Sequence, residues 1–251
     1  MIKAKVFIDP GHGGADPGAT YGTYMEKNWT LDISIHMAGW LRQKGYEVAL
    51  TRVNDATLNP SNRASLVRQS GANLCVSNHI NAGGGQGSEV IYSIHRDDVL
   101  ASMILEELVR AGMRGRRVFS RESTAYPGKD YYFIIRDTAP VETVIVEYGF
   151  IDNPDDLSRL KMPYFRQNLA EAAALGVHGY IQKLNAPEKP DEHEVTVRII
   201  DFNGNIKTLP PDKQKLIDGR WYLEGRTLTE LVGGRVSWDD KAKIATFDFS
   251  R

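Results

Sequence analysis

The sequence predicts an α/β protein: a twisted, mostly parallel sheet covered by helices on both faces, followed by a small β-rich module with one short helix. Three observations predict it. Short apolar or β-branched runs alternate with helical periodicity as far as residue 183, the pattern of a parallel sheet under helices. At residues 185–194, NAPEKPDEHE, two prolines and several charges replace the apolar runs and read as a linker. Beyond it, brief strands separated by turn dipeptides suggest a compact β unit. The expected organisation is therefore residues 1–184, a linker at 185–194, and residues 195–251.

The elements follow in order. Val6–Phe7–Ile8 is a buried strand that Asp9–Pro10–Gly11 stops. Residues 28–44 are a helix with Leu31, Ile35, Ala38 and Leu41 on one face and Gly45 as its stop. YEVALT is a strand, NRASLVRQSG a short helix ending at Gly71, and NLCVSNH a second buried strand. SEVIYS is a strand, residues 97–110 a helix, and TVIVEYG a β-branched strand that reaches Glu147. A last helix, residues 164–183, aligns Leu169, Ala173, Val177 and Tyr180. In the C-terminal part, VTVRIIDFNGNIKTL reads as two strands joined through Asn203–Gly204, a hairpin signal. Thr227 and Glu230 fit a capping box that starts a short helix, and RVSW and KIATFDF flank a turn.

Composition narrows the function classes. With 31 Lys+Arg against 32 Asp+Glu, the chain lacks the strongly basic footprint of a nucleic-acid binder. Its single cysteine, Cys75, excludes an internal disulfide and a cysteine metal cluster, and its place in LCV suggests an inert core thiol. No window approaches the roughly 18 apolar residues of a membrane span. The chain passes from Met1 almost directly into a strand, so no signal peptide is expected. This favours a cytoplasmic protein released by lysis or through a membrane lesion, or a secreted protein that has lost its leader.

His12, His79 and Glu147 stand at or just past strand ends, where α/β sheets bind ligands, and Glu26 precedes the first helix. If those strands are parallel neighbours, the side chains converge. Two histidines and one carboxylate form a zinc site with an open position, and a second carboxylate can act as general base and acid. Spacing alone leaves the plain alternative open: a capping Glu26, a histidine at the core edge and a solvated Glu147. His36, His95, His178 and His193 have no ligand-type partner at useful spacing. GGGQG lacks the nucleotide-loop fingerprint, and no G-x-S-x-G occurs.

IDPGHGGADPGA, EKN, VALTRVND, CVSNHINA, GSEVIYS and VIVEYGFIDNPDD occur in that order. Together they resemble the zinc-dependent N-acetylmuramoyl-L-alanine amidases of the type 3 family, over about residues 3–182. The resemblance implies one Zn2+ held by His12, Glu26 and His79, with Glu147 as the catalytic carboxylate. It also implies hydrolysis of the amide joining N-acetylmuramic acid to L-alanine in peptidoglycan, by a phage endolysin, a sporulation enzyme or another autolysin. Asn78 departs from the usual apolar residue of that motif. It is expected either to face the other side of the sheet or to hydrogen-bond near the metal. RRVFSRESTAYPGKDYYFIIRDT matches only loosely and is where substrate selectivity would be built. Arg136 within it and Asn81 are candidate substrate-binding residues, since arginine grips carboxylates bidentately and peptidoglycan stems are acidic.

DGRWYLEGRTLTELVGGRVSWDDKAKIATFDF resembles the copper amine oxidase N-terminal-like domain, a module often appended to cell-wall enzymes. No copper is implied. The expected role is attachment to the wall, with stabilisation or dimerisation as the alternative. Two rival functions remain: a zinc peptidase cutting stem peptides, and a catalytically silent wall-binding protein.

Overall fold

A computed structural model describes residues 4–186 and, beyond them, the strands named below. Contacts divide the chain into two units, Met1–Ala186 and Pro187–Arg251.

In the first unit the elements run β1 (Lys5–Pro10), a small hairpin β2 (Thr20–Tyr21) and β3 (Tyr24–Met25), α1 (Glu26–Gln43), β4 (Glu47–Leu50) and α2 (Pro60–Gln69). They continue with β5 (Leu74–Asn81), β6 (Ser88–Tyr92), α3 (Val99–Arg110), β7 (Gly115–Ser120) and α4 (Phe133–Arg136). β8 (Glu142–Phe150), α5 (Pro154–Leu160) and α6 (Pro163–Asn185) complete it. The six-stranded sheet has the order β4-β1-β5-β8-β6-β7. β4, β1, β5 and β8 run parallel, whereas β6 lies antiparallel to β8 and β7 follows β6.

Strand alternation sorts the core into two faces. Val6 and Ile8 of β1, Leu74, Val76 and Ile80 of β5, and Val144, Val146 and Tyr148 of β8 share the large cluster with α1, α3 and α6. On the opposite face Phe7 and Cys75 meet Val67 of α2, while Ile91 and Ile145 meet Ile134 and Ile135 of α4. Cys75 is buried and its thiol is pushed well up by burial, which fits an inert core residue.

The structure differs from the sequence expectations in places. β1 extends through Asp9 and Pro10, which pair with Ser77 and Asn78. α1 begins at Glu26, so that residue is the first of the helix and not in a preceding loop. The buried face of α1 carries Trp29, Ile33, Met37 and Leu41, whereas Ile35 is 48% exposed. Thr30 and Ser34 lie buried on that face because each finds a partner: Thr30 Oγ1 donates to the Gly11 carbonyl at 2.8 Å, and Ser34 Oγ accepts from Asn78 at 2.8 Å. β7 and α4 fall inside the loosely matching segment, and α5 follows β8; none had been anticipated.

Of the second unit the structure describes three antiparallel strand pairs: β9 (Arg198–Ile200) with β10 (Ile206–Thr208), β11 (Gln214–Ile217) with β12 (Arg220–Leu223), and β13 (Arg235–Asp239) with β14 (Ile244–Asp248). The first pair flanks the Asn203–Gly204 position. The linker from residue 187, His193 and the short helix expected at Thr227 lie outside the described residues.

Candidate metal centre

β1, β5 and β8 are adjacent and parallel, so their C-terminal ends open on one side of the sheet. His79 and Glu147 are register partners and therefore point to the same face. Asn78, one residue earlier, points the other way: its amide donates to Ser34 and its oxygen accepts from the Tyr148 hydroxyl at 3.0 Å. Of the two expectations for Asn78, the structure gives the far face of the sheet.

The turn after β1 presents His12, whose φ of 59° is left-handed. Two buried arginines hold that turn by its carbonyl oxygens. Arg63 donates to Pro10 at 2.6 Å and His12 at 2.7 Å, and Arg52 to Pro10 at 3.1 Å and Gly11 at 2.8 Å. Arg63 also pairs with Asp9 at 2.5 Å, and Thr51 and Ser77 each donate to Asp9 at 2.7 Å. Burial alone would raise the Asp9 carboxyl, but Arg63 and these hydroxyls hold it below the usual carboxylate range. Glycine is required beside the histidines. A Cβ on Gly11 would lie 2.4 Å from Cε1 of His79, and one on Gly18 (φ 66°) 2.5 Å from Glu26 Oε2 and 2.7 Å from Cδ2 of His12.

Glu26 is 3% exposed and sits between the two imidazoles. Its Oε1 accepts from the Ile80 amide and lies 2.9 Å from His79 Nδ1, while Oε2 accepts from the Ala19 amide and lies 3.1 Å from His12 Nε2. His12 Nδ1 contacts Asp16 Oδ2 at 2.8 Å, which orients the ring with Nε2 toward Glu26. One donor atom from each of His12, Glu26 and His79 falls within 4.8 Å of the others, a spacing that a single cation can bridge. Burial would lower both histidines, but the Glu26 carboxylate raises them, His79 to about 9. Against its own burial, Glu26 is held well below the usual range by hydrogen bonds from both rings.

Glu147 has a different environment. Burial raises its carboxyl to about 7 although His79 opposes the shift. Its Oε2 is buried and has no hydrogen-bond partner among the described residues. Facing it across the β8–β6 pair is Glu89, 2% exposed, which is fully engaged by Arg116, by Arg117 Nε at 2.6 Å and by Asn81 Nδ2 at 2.9 Å. Neighbouring carboxylates thus have divergent environments: Glu89 is held by two arginines, whereas Glu147 is unpaired and protonatable near neutrality.

The remaining sequence candidates are engaged by other protein groups. Asn81 spends its amide on Glu89. Arg136 bonds its neighbours, with the carbonyls of Asp130 and Tyr131 at 3.1 and 3.0 Å and the Asp137 carboxylate at 3.0 Å. It lines a cavity of about 580 Å³ with Glu142 and Thr143 at the start of β8. Glu142 precedes Glu147 by five residues, roughly 16 Å of strand, so Arg136 is not brought to the cluster. His36, His95 and His178 also stay outside it, His178 being bonded to the Tyr46 hydroxyl at 2.6 Å. Sequence reasoning missed Asp16, Arg52, Arg63 and Glu89. Glu89 did leave a signal: a lone carboxylate inside the apolar run SEVIY, which must find buried partners.

Three metal-type donors beside an unpaired carboxylate, at the carboxyl edge of a parallel sheet, are the equipment of a metal-assisted hydrolase. The chain belongs to the type 3 N-acetylmuramoyl-L-alanine amidase family, whose profile matches residues 6–179. It is similar to a sporulation-specific N-acetylmuramoyl-L-alanine amidase of Bacillus subtilis (strain 168), 33% identical over 184 residues that cover 69% of this chain and 66% of that one. An endolysin of Bacillus phage SPP1 is 27% identical over 93% of this chain and 94% of its own length. Among solved structures, an N-acetylmuramoyl-L-alanine amidase from Clostridium difficile 630 superposes with a TM-score of 0.63 at 27% identity, over 71% of this chain and 97% of that one.

Proposed function

We propose that this chain is a zinc-dependent hydrolase that cleaves the amide between N-acetylmuramic acid and L-alanine in bacterial peptidoglycan. The observation that carries the reading is the gathering of His12, Glu26 and His79 next to the unpartnered Oε2 of Glu147. Two imidazoles and one carboxylate are a donor set suited to a catalytic zinc. When bound, the ion supplies Lewis acidity toward water and the scissile carbonyl. Asp16 holds the His12 ring with Nε2 toward the donor cluster, and Glu26 holds His79. Glu147 Oε2 takes a proton from the attacking water as its oxygen bonds to the carbonyl carbon. The same oxygen then delivers that proton to the alanine nitrogen as the C–N bond breaks. A carboxyl raised toward neutrality suits both transfers. Gly11 and Gly18 leave room for the histidine and glutamate side chains they border.

Glu147→Gln is expected to keep one zinc per chain and lose at least about a hundredfold of hydrolysis, whereas His79→Ala loses zinc and hydrolysis together. Near-wild-type turnover by Glu147→Gln would remove Glu147 as the proton carrier. Mass spectrometry of a wall digest reads the bond: new L-alanine N-termini with intact glycan support the amidase, and cuts within the stem support a peptidase.

For residues 195–251, the proposed role is attachment to the wall or one of its polymers. The endolysin match, over 93% of the chain, reaches into these residues. Retention of the full chain on purified walls, compared with a chain ending at Ala186, tests it. Equal retention would remove the attachment role.

A further inference from the structure

Beside His12 and His79 a cavity of about 120 Å³ opens between the start of α2 and α4. Gly11, His12 and His79 border it, with the buried Asp9–Arg63 pair beneath. Its walls are apolar: Leu58 and Pro60 from the α2 side, Phe133 and Ile134 from α4. Phe133 is half-buried and packs against the cluster of Ile91, Ile134 and Ile145, which fixes its ring. The carboxylates along the cavity are already engaged. Asp9 accepts from Arg63, Thr51 and Ser77, and Asp16 lies against His12 Nδ1 and accepts from the Gly18 amide. What the cavity still offers a ligand is apolar contact. Its volume is about four times the roughly 30 Å³ share of one water molecule, enough for a methyl group and the atoms next to it.

Glu147 does not border this cavity. In the order β1-β5-β8, His79 stands on the middle strand, with β1 and the cavity to one side and Glu147 to the other. Glu147 delivers its proton to the leaving nitrogen, so the departing peptide lies toward β8. An amide is planar, and its carbonyl carbon carries the nitrogen and the acyl carbon in different directions. With the carbonyl at the donor cluster, the acyl half therefore runs toward β1. In muramic acid that acyl carbon belongs to the lactyl ether and bears one methyl group. We infer that the cavity receives this methyl group, and that Phe133 and Leu58 are the side chains that read it. The inference rests on the amidase reading and adds the residues that set specificity on the acyl side of the bond.

The test uses the zinc-loaded full chain and two soluble muropeptides that differ only in this methyl group, one with the lactyl ether and one with a glycolic ether. One methyl in an apolar pocket is worth about 10–200-fold, so wild-type kcat/KM is expected to favour the lactyl form by at least about tenfold. Phe133→Ala widens the cavity and should bring that ratio to within about threefold of unity, whereas Phe133→Leu should keep most of it. Leu58→Trp fills the cavity and should slow the lactyl form more than the glycolic form. Binding gives a readout apart from turnover: free N-acetylmuramic acid should bind the wild-type protein more tightly than its glycolic analogue, and Phe133→Ala should bind the two alike. Because each ratio is internal, partial misfolding cancels. A second pair of muropeptides, with L-alanine or glycine after the bond, probes the other side. If Phe133→Ala changes the alanine-to-glycine ratio and leaves the lactyl-to-glycolic ratio alone, the cavity takes the peptide and the inference falls. A wild-type protein indifferent to the methyl, or variants that slow both forms equally, also overturns it while leaving the amidase intact. If the wild-type protein cleaves neither form, the amidase reading falls and the cavity's assignment with it.

Discussion

Gly11→Ala introduces a single methyl group at a backbone position that alanine tolerates, and its effect follows from one distance. The new Cβ would stand 2.4, 2.6 and 2.7 Å from Cε1, Nε2 and Nδ1 of His79. Carbon contacts settle near 3.5–4.0 Å, so the ring must retreat by about 1 Å. A zinc–nitrogen bond tolerates only about 0.2 Å, so a retreat of that size removes His79 as a donor. Disturbing merely the supporting shell of a metal site costs about 10–100-fold in affinity; loss of a donor exceeds that, which is at least about 2.7 kcal/mol. Competition against a chromophoric chelator measures the zinc affinity, and far-UV circular dichroism checks that the fold persists. Gly39→Ala is the matched control: it lies in α1, its Cβ would meet nothing within 4 Å, and it should stabilise the helix by about 0.5–1 kcal/mol with zinc binding unchanged. If Gly11→Ala binds zinc as tightly as the parent chain, the packing of His79 against the turn does not set the site.

Two further perturbations probe the support and the proton balance. Arg63→Met strands the Asp9 carboxylate in the core and should cost about 3–5 kcal/mol, or roughly 6–20 °C in Tm for a domain of this size, while Asp9→Asn combined with Arg63→Met recovers part of the loss; an unchanged Tm would show that the pair does not hold the turn. The Glu26 carboxylate raises His79 to about 9 and raises His12 as well, so a zinc ion bound as proposed would displace protons at neutral pH, and its apparent affinity should climb about tenfold per pH unit for each proton displaced until pH passes about 9. An affinity flat between pH 6 and 8 would contradict the protonated pair.

Local sequence determined much of this protein. VFI, LCVS and TVIV are strands because contiguous β-branched and apolar residues suit a sheet buried on both faces, and each is followed by a polar residue that stays in the strand, buried or half-buried, and must therefore find a partner or a function there. That His12, Glu26 and His79 come together was legible from such polar positions at the carboxyl edge and from the order of the motifs around them. The apolar face of α1 was misread because burial follows partners as well as polarity: Thr30 and Ser34 enter the core only through hydrogen bonds to residues about 20 and 44 positions away, which periodicity does not register. β7, at the sheet edge, is half exposed and opens on Gly115–Arg116–Arg117, so it lacks the apolar run that marks a buried strand.

Tertiary structure alone decided the direction of β6, and with it the pairing of Glu89 with Glu147. It also decided which arginines guard the site. Arg52, Arg63, Arg117 and Arg136 look alike in sequence, yet the fold commits two to the turn carbonyls, one to Glu89 and one to its own loop. Residue type sets what a side chain can bind. Strand order and direction set what lies within the few ångströms over which a hydrogen bond or a shared cation acts.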